Sequence, residues 1–355
     1  MGKVKIFIDP RLNIAYDSFY LYGLKMKYGQ RNIHYTMRYF RDLPDGGNLR
    51  YVWFSDGIIK KYVVHIGDSY KINQAEYDWC DKYGSVNANF FHYPKDRYHK
   101  LCSLVPSFAI KNYNLFQTLS FSIVTFFLSM RYIISRERYN MSKDCFEINS
   151  INNIRRHFIN YLKNWKQRMP YEDYLQRECV KNKYVFFLST LWQSDEDHDN
   201  DNGVNQRRYK FIRACKSIQD LTFKGGLLGS AISSNEKFID AVTTERMSFR
   251  EWLTESKRSA VVFNTPAFYD CHGWKLGEYL AMGKAIISTK LYNDLPFPLE
   301  NGKQAIFVQN DEIKMRDAIV KVINDEQLRI DLENSARDYW ERYGTPIKSI
   351  ELLES

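Results

Sequence analysis

Apolar positions in the second half of the chain form short, almost continuous runs. Four of them are KYVFFLSTLW, SAVVFN, KAIIST and AIFV, at residues 183–192, 259–264, 284–289 and 305–308. Runs of this length are typical of strands that are covered on both faces of a parallel sheet. Apolar residues with helical spacing predict one helix after the first run and two more helices after the last run. This alternation predicts a doubly wound, Rossmann-like α/β domain.

The first half of the chain shows the same alternation. Strands are predicted at VKIFID, YVVHIG and VNANFF, which are residues 4–9, 62–67 and 86–91. A helix that ends at Gly29 and a second helix near residues 74–83 lie between them. Pro170 then interrupts the pattern. We therefore expect two Rossmann-like domains, residues 1–165 and 166–355, with the last helix as an element that can return to the first domain.

One segment raises the question of a membrane. Residues 115–134, LFQTLSFSIVTFFLSMRYII, predict a helix with Phe116, Leu119, Ile123, Phe126 and Met130 on one stripe. Its longest unbroken apolar run is too short for a spanning helix, which needs about 20 mainly apolar residues. The stripe favours a buried core helix over an interfacial membrane helix.

The charges are unevenly divided between the two halves. Residues 1–165 hold 24 Lys and Arg against 13 Asp and Glu, a balance of +11, whereas the remaining residues carry −2. A basic half indicates an anionic partner: a phosphate-bearing acceptor, an anionic lipid surface or nucleic acid. The alternative is a solvated basic face with no partner.

The cysteines and the amino-terminal residues bear on the cellular compartment of the protein. The six cysteines show no paired spacing, and the first residues contain no apolar stretch of the kind that export signals have. We therefore expect reduced thiols and a cytoplasmic protein, with association at the inner face of the membrane as an open alternative.

Residues 270–289, DCHGWKLGEYLAMGKAIIST, carry the clearest chemical pattern. A strand is predicted to end near Asn264, and Gly273 lets the backbone approach a ligand before a helix starts at Trp274. The start of that helix presents N–H groups and a positive dipole to an anion. Glu278 lies one turn inside, where its carboxylate can accept hydrogen bonds from vicinal hydroxyls. The pattern fits a sugar nucleotide, or else an ordinary helix–strand joint that Gly283 closes.

The same residues resemble the donor-binding motif of retaining glycosyltransferases of the two-domain GT-B fold, especially the family 4-like group (glycosyl transferases group 1). In that group an acidic residue precedes a Glu by eight positions, as Asp270 precedes Glu278, and the continuation is similar to EYLAMGKAII. The resemblance extends over about residues 183–345. It departs from the group at Asp270, where Glu is usual, and at His272 and Trp274.

The resemblance implies roles for residues of the second domain, which would bind the nucleotide-sugar. Glu278 would hold the ribose, Asp270 would face the sugar hydroxyls, and Gly273 with the amides from Trp274 onward would meet the sugar or phosphate. The group's phosphate-binding Lys falls at Gln206. Its role is therefore moved to Arg207 and Arg208, since arginine binds phosphate in a bidentate manner.

In the first domain, which would bind the acceptor, the resemblance is weaker. Members of the group often carry a histidine after a later strand, near the donor sugar. His92 matches that position best and would act as a catalytic residue, with His65 as the second candidate. A strand-end histidine can equally be structural. The glycine-rich loop usual after the first strand is replaced by IDPRLN.

The resemblance leads to a glycosyltransferase that acts without metal or cofactor, with a nucleotide-sugar donor and a glycan or lipid-linked acceptor of surface polysaccharide or glycoconjugate assembly. Two alternatives stay open. The acidic segment SDEDHDNDNG (194–203) could hold a divalent metal, as in metal-dependent GT-A transferases, although a solvated loop is favoured. The chain could also be a basic protein that binds membrane or nucleic acid and keeps a degenerate transferase domain. Of those two partners, nucleic acid is the less favoured.

Overall fold

The structure is a computed structural model, and it describes residues 4–44, 48–140, 151–192, 203–229 and 236–355, with side chains up to Arg131 in the helix that ends at Asn140. The chain divides into two compact units. Unit 1 comprises residues 1–171 and 343–355, and unit 2 comprises residues 172–342. Both are α/β units with parallel strand pairs, the fold class that the alternation of runs predicts.

Unit 1 is built on a six-stranded sheet in the order β2-β1-β3-β4-β5-β6. Its strands are β1 Lys5–Ile8, β2 Ile33–Tyr35, β3 Leu49–Ser55, β4 Ile58–His65, β5 Lys82–Ser85 and β6 Leu101–Ser103. Strand β3 runs antiparallel to both neighbours, and the other pairs are parallel. The strand predicted at residues 86–91 is wrong, because the chain forms β5 just before that segment and then turns.

The helices of unit 1 cover this sheet. They are α1 Ile14–Tyr28, α2 Gln74–Trp79, α3 Leu115–Asn140, α4 Asn160–Gln167, α5 Tyr171–Leu175, which continues into unit 2, and α11 Pro346–Glu354. Gly29 ends α1, as predicted, with a backbone bond to Lys25. Helix α11 packs on α1 at Gly23, where an added Cβ would lie 2.2 Å from the Pro346 carbonyl oxygen.

Helix α3 contradicts the prediction of a buried apolar stripe. Its buried positions are small and polar: Thr118, Ser122, Thr125 and Ser129. The last three contact the buried His157, whose Nδ1 lies 2.9 Å from Thr125 Oγ1 and whose Nε2 lies 3.2 Å from Ser129 Oγ. Burial lowers the pKa of His157 to about 3, so the ring is neutral and one of its nitrogens can accept a hydrogen bond. Hydroxyl groups therefore occupy the buried positions, Phe126 of the predicted stripe packs on Phe158, and Phe116, Leu119 and Ile123 of that stripe are exposed.

Unit 2 contains two three-stranded parallel sheets, ordered β7-β8-β9 and β10-β11-β12. The strands are β7 Tyr184–Thr190, β8 Thr222–Leu228, β9 Val242–Thr243, β10 Val262–Asn264, β11 Ile286–Ser288 and β12 Ala305–Phe307. The sheets adjoin where the amide of Ala260 donates to the Tyr184 carbonyl at 2.8 Å. Chain order therefore reverses between β7 and β10, the place where open α/β sheets bind ligands.

In the described part of unit 2 the α-helices around these strands are α6 Val204–Lys216, α7 Phe249–Arg258, α8 Trp274–Met282, α9 Glu312–Asn324 and α10 Glu326–Tyr339. The core of unit 2 lies between them and the strands, around Phe187, Phe211 and Phe263. The rings of Phe211 and Phe263 stack with centroids 4.2 Å apart. This contact joins α6 to β10, so the starts of α6 and α8 share one rigid base.

Candidate active site

The candidate site lies at the carboxyl ends of β7 and β10. Helix α6 begins at Val204 after β7, and helix α8 begins at Trp274 after β10. The contact between Arg207 and Asp270 places the first turn of α6 beside the loop that leads into α8. Side chains from these elements supply the charged groups of the site.

Two buried arginines form the first half of the site. Arg207 and Arg208 lie on the first turns of α6 and are 6% and 8% exposed. The Arg207 Nη2 atom donates to the Pro266 carbonyl at 3.3 Å and lies 3.4 Å from Asp270 Oδ1, while its Nε has no hydrogen-bond partner in the protein. Arg208 Nη1 donates to the carbonyl of Thr190, at the end of β7, at 2.8 Å. Both guanidinium groups are thus held by main-chain carbonyls.

The two arginines leave the site with excess positive charge. Burial, and then the neighbouring Arg207 guanidinium, lower the pKa of Arg208 to about 10, so Arg208 is still charged at neutral pH. Arg207 has a carboxylate beside it, Asp270, but the Asp270 side chain is half exposed, so water weakens that pairing. Buried cations with so little compensation favour the binding of an anion.

Helix α8 supplies the second half of the site. Its first residue follows Gly273, which contributes no capping side chain, so the positive end of the helix faces the same edge of the sheet. Glu278 is 4% exposed and lies one turn inside. Burial lowers the pKa of Lys275 to about 8; the Glu278 carboxylate opposes this shift, and the Arg208 guanidinium adds a smaller contribution in the lowering direction. These electrostatic couplings link Lys275 to both halves of the site.

The loop that carries Asp270 is strained and firmly held. Tyr269 and Asp270 have φ of 51° and 55°, in the left-handed region that non-glycine residues rarely adopt. Asn293 Nδ2 donates to the Asp270 carbonyl at 3.2 Å, and His272 Nε2 donates to the Asn293 carbonyl at 3.1 Å. Burial lowers the pKa of His272 to about 4, so its ring is neutral at pH 7. These contacts hold the main chain of the strained loop at Asp270.

The two glycines of the motif serve different purposes. Gly283 ends α8 in the left-handed conformation, with φ of 61°, as the sequence predicts. Gly273 has φ of −74°, and an added Cβ would meet only the Ala267 Cβ, at 3.8 Å. The fold therefore does not require glycine at position 273. Close approach of a ligand remains the reason that we propose for it.

The remaining candidates of unit 2 lie nearby. Gln206 is buried on the first turn of α6, and its Oε1 atom has no hydrogen-bond partner in the protein. Trp274 is partly buried at the first position of α8. Sequence reasoning missed Lys275 and Asn293. Lys275 could have been found, because a cation in the first turn of a helix opposes the helix dipole and needs an anion to explain it.

The two candidate histidines belong to unit 1, and the structure separates them. His65 is the last residue of β4, in register with Ser85, and its Nδ1 lies 3.5 Å from the Ser85 hydroxyl. Burial lowers its pKa. His92 lies in an exposed turn, where its ring stacks on Tyr70 with centroids 4.7 Å apart. Of the two, His65 has the strand-end position that the resemblance assigns to His92.

The acidic segment considered as a metal site, residues 194–202, lies outside the described residues. Among the residues that are described, no group of three or more His, Cys, Asp or Glu side chains is arranged to hold a metal ion.

Comparisons with solved structures find bacterial glycosyltransferases. The C-terminal domain of a glycosyl transferase group 1 family protein, LpcC from Francisella tularensis, is 13% identical over 49% of this chain and 92% of that one, with a TM-score of 0.36. A glycosyltransferase from Rickettsia africae is 10% identical over 81% and 67%, with a TM-score of 0.41. HepE from Anabaena, in complex with UDP-glucose, is 12% identical over 82% and 97%, with a TM-score of 0.37. No protein-family model matches the chain, and no curated protein matches its sequence. At this level of similarity, activity has to be inferred from the site.

Proposed function

We propose that the chain is a glycosyltransferase whose unit 2 binds a nucleotide-sugar and whose acceptor is a glycan or a lipid-linked glycan. One observation carries the proposal. Three cations, Arg207, Arg208 and Lys275, lie with the start of α8 at the carboxyl edge of the sheet, with a buried carboxylate one turn inside. A diphosphate supplies the missing negative charge, and a ribose supplies hydroxyls for the carboxylate.

Each group then has one role. Arg207, Arg208 and Lys275 bind the diphosphate, and Glu278 accepts hydrogen bonds from the ribose. Asp270 keeps one side of its half-exposed carboxylate for hydroxyls of the donor sugar. The similarity of residues 270–289 to the donor motif of GT-B transferases supports these roles.

The proposed reaction proceeds with retention and without a metal. The bond from the anomeric carbon to the phosphate oxygen breaks, and a bond to the acceptor oxygen forms on the same face of the sugar. The acceptor proton passes to the departing phosphate oxygen. Arg207, Arg208 and the helix dipole stabilise the charge that develops there, so catalysis consists of positioning and electrostatics. We assign the acceptor to unit 1, with His65 or His92 as a residue that orients a hydroxyl.

Calorimetry of the whole chain against a panel of nucleotide-sugars, in excess chelator, tests the proposal. We expect one nucleotide-sugar to bind, and transfer from it to continue in the chelator. Activity that is lost in chelator and restored by Mn²⁺ would contradict the metal-free reaction and return attention to residues 194–203. If no nucleotide-sugar or nucleoside diphosphate binds, the proposed function fails.

Lys275 predicts a pH dependence of donor binding. With a pKa of about 8, Lys275 is charged below that pH and neutral above it. Affinity for a nucleoside diphosphate should therefore fall as the pH rises through about 8, after which the arginines provide the remaining attraction. The Lys275→Met variant should bind more weakly at pH 7 and lose this inflection. An inflection that persists in the variant would assign the titration to another group.

A further inference from the structure

Helix α3 presents its apolar side outward. Phe116, Leu119, Ile123 and Phe127 follow one another at intervals of three or four residues and form one stripe, and Phe116 is 81% and Phe127 65% exposed. On the opposite side Ser122, Thr125 and Ser129 contact His157. Two partly buried rings flank these hydroxyls, Phe121 packed on Tyr113 and Phe126 packed on Phe158. In a helix that packs on a protein core, the apolar side faces the core. In the first four turns of α3, by contrast, this apolar stripe faces outward.

The neighbouring helical segment adds to the same surface. Residues 151–167 pack on α3 through His157 and expose Ile151, Ile154, Ile159 and Leu162. Contiguous apolar patches of this kind on soluble proteins usually mark interaction sites. We refer to the exposed apolar residues of the two segments as the apolar face.

The charged residues of the two described segments that form the apolar face are all basic. Neither residues 115–131 nor residues 151–167 contain an Asp or a Glu. They do contain Arg131, Arg155, Lys163 and Lys166, all of which are exposed. Apolar side chains bordered by cations are the pattern of a helix that lies in the interface of an anionic bilayer. Within the described residues, no helix is long and apolar enough to span a bilayer.

A second copy of the chain fits this surface less well. In a two-fold symmetric dimer the same patch faces itself. The four cations of one copy would then meet the same four of the other, with no carboxylate on either segment to separate them. Anionic lipid headgroups instead neutralise the cations while the acyl region accepts the apolar side chains.

We propose that the apolar face of α3 and residues 151–162, with its cationic border, lies in the interface of a membrane that contains anionic lipid. This surface differs from a second stretch of unit 1 that mixes aromatic and basic residues, FFHYPKDRYHK at residues 90–100. In that stretch the Lys100 ammonium donates to the carbonyls of Tyr77 and Cys80, at 3.2 and 2.9 Å, and is therefore engaged within unit 1. The proposal does not depend on the identity of the donor.

Co-sedimentation of the whole chain with vesicles tests the proposal. Binding should be strong to phosphatidylcholine vesicles that contain phosphatidylglycerol, weak to phosphatidylcholine alone, and reduced by salt. The triple variant Phe116→Ser, Ile123→Ser, Phe127→Ser should bind at least tenfold more weakly. The triple variant Arg155→Gln, Lys163→Gln, Lys166→Gln should lose about 100-fold on anionic vesicles, because each cation near the surface contributes roughly fivefold.

A matched control removes exposed apolar side chains elsewhere in unit 1. Ile58, Ile59 and Phe91 are exposed, and the variant Ile58→Ser, Ile59→Ser, Phe91→Ser should bind vesicles as the wild type does. Circular dichroism and donor calorimetry should show that all three variants are folded. Equal loss in the control, undiminished binding of the first variant or equal binding to neutral vesicles would each overturn the proposal. So would a wild-type dimer that the first variant converts to a monomer, because a second copy would then cover the face.

Discussion

The Arg208→Met variant is expected to lower kcat/KM for the nucleotide-sugar by about 100- to 1,000-fold, the range found when one donor to a developing negative charge is removed. Arg208 is buried, and the carbonyl of Thr190 holds it at the end of β7, so its charge is preorganised for the leaving diphosphate. Methionine keeps most of the volume and removes the charge. Affinity for the nucleoside diphosphate product should fall as well.

Stability should respond differently from activity. In the free protein Arg208 is buried and is repelled by the neighbouring Arg207 guanidinium, and both effects lower the pKa of Arg208. The substitution relieves this repulsion and loses one hydrogen bond to a carbonyl, so we expect a thermal midpoint close to that of the wild type. Addition of a nucleoside diphosphate should raise the midpoint of the wild type much more than that of the variant.

Arg213→Met provides the matched control for Arg208→Met. Arg213 lies on the same helix, is half exposed and pairs with Glu312 at 3.2 Å. Its loss should change neither kcat/KM nor the effect of the diphosphate on the midpoint. If Arg208→Met retains wild-type activity, or if the control loses as much, the phosphate role of Arg208 is wrong.

The sequence predicted the strands of unit 2 best where apolar runs were uninterrupted. Strands β7, β10, β11 and β12 all lie within predicted runs, but the two-residue β9 was missed, and so was β8. Its sequence, TFKGGLL, contains Gly225 and Gly226, which break the apolar pattern. The sheet requires both, because an added Cβ would lie 2.0 Å from the Phe187 carbonyl oxygen at the first and 2.6 Å from that of Ala241 at the second.

The orientation of α3 could not be read from periodicity. The spacing of Phe116, Ile123 and Phe127 shows that the apolar residues share a side, but not what that side meets. The deciding contact is made by His157, about 30 residues further along the chain, with hydroxyls that periodicity treats as solvent-facing. A polar side that is buried by a partner distant in sequence leaves no local signal.

The sequence predicted only those residues of the candidate site that lie close together along the chain. Asp270, Gly273 and Glu278 lie within one short motif, so their spacing alone suggested a ligand. Arg207 is brought to Asp270 by the pairing of strands that are far apart in sequence, and only the fold shows that contact. The sequence offered several basic residues near Gln206 but could not show which were buried.

Glu278→Gln is expected to weaken binding of the nucleotide-sugar by roughly 10- to 150-fold, which corresponds to the 1.5–3 kcal/mol of a charge-assisted hydrogen bond. Glutamine is close to isosteric, so the fold should survive. The amide oxygen can still accept from a ribose hydroxyl, but without the charge. Glu312→Gln, on the outside of unit 2, is the control and should have no effect on donor binding.

Inorganic pyrophosphate separates a ribose role for Glu278 from a general electrostatic one. Glu278 is a negative charge among Lys275 and the arginines, and it opposes the burial that lowers the pKa of Lys275. Loss of this charge removes a repulsion for any anion, which favours binding. It also makes Lys275 easier to deprotonate, which disfavours binding. Near pH 7 we therefore expect pyrophosphate to bind the variant about as well as the wild type. The nucleotide-sugar, which also needs the ribose contact, should bind less well. Calorimetry with both ligands measures the difference. If both ligands bind the variant equally more weakly, Glu278 serves only to keep Lys275 protonated. If binding of the nucleotide-sugar is unchanged, the ribose does not bind at Glu278.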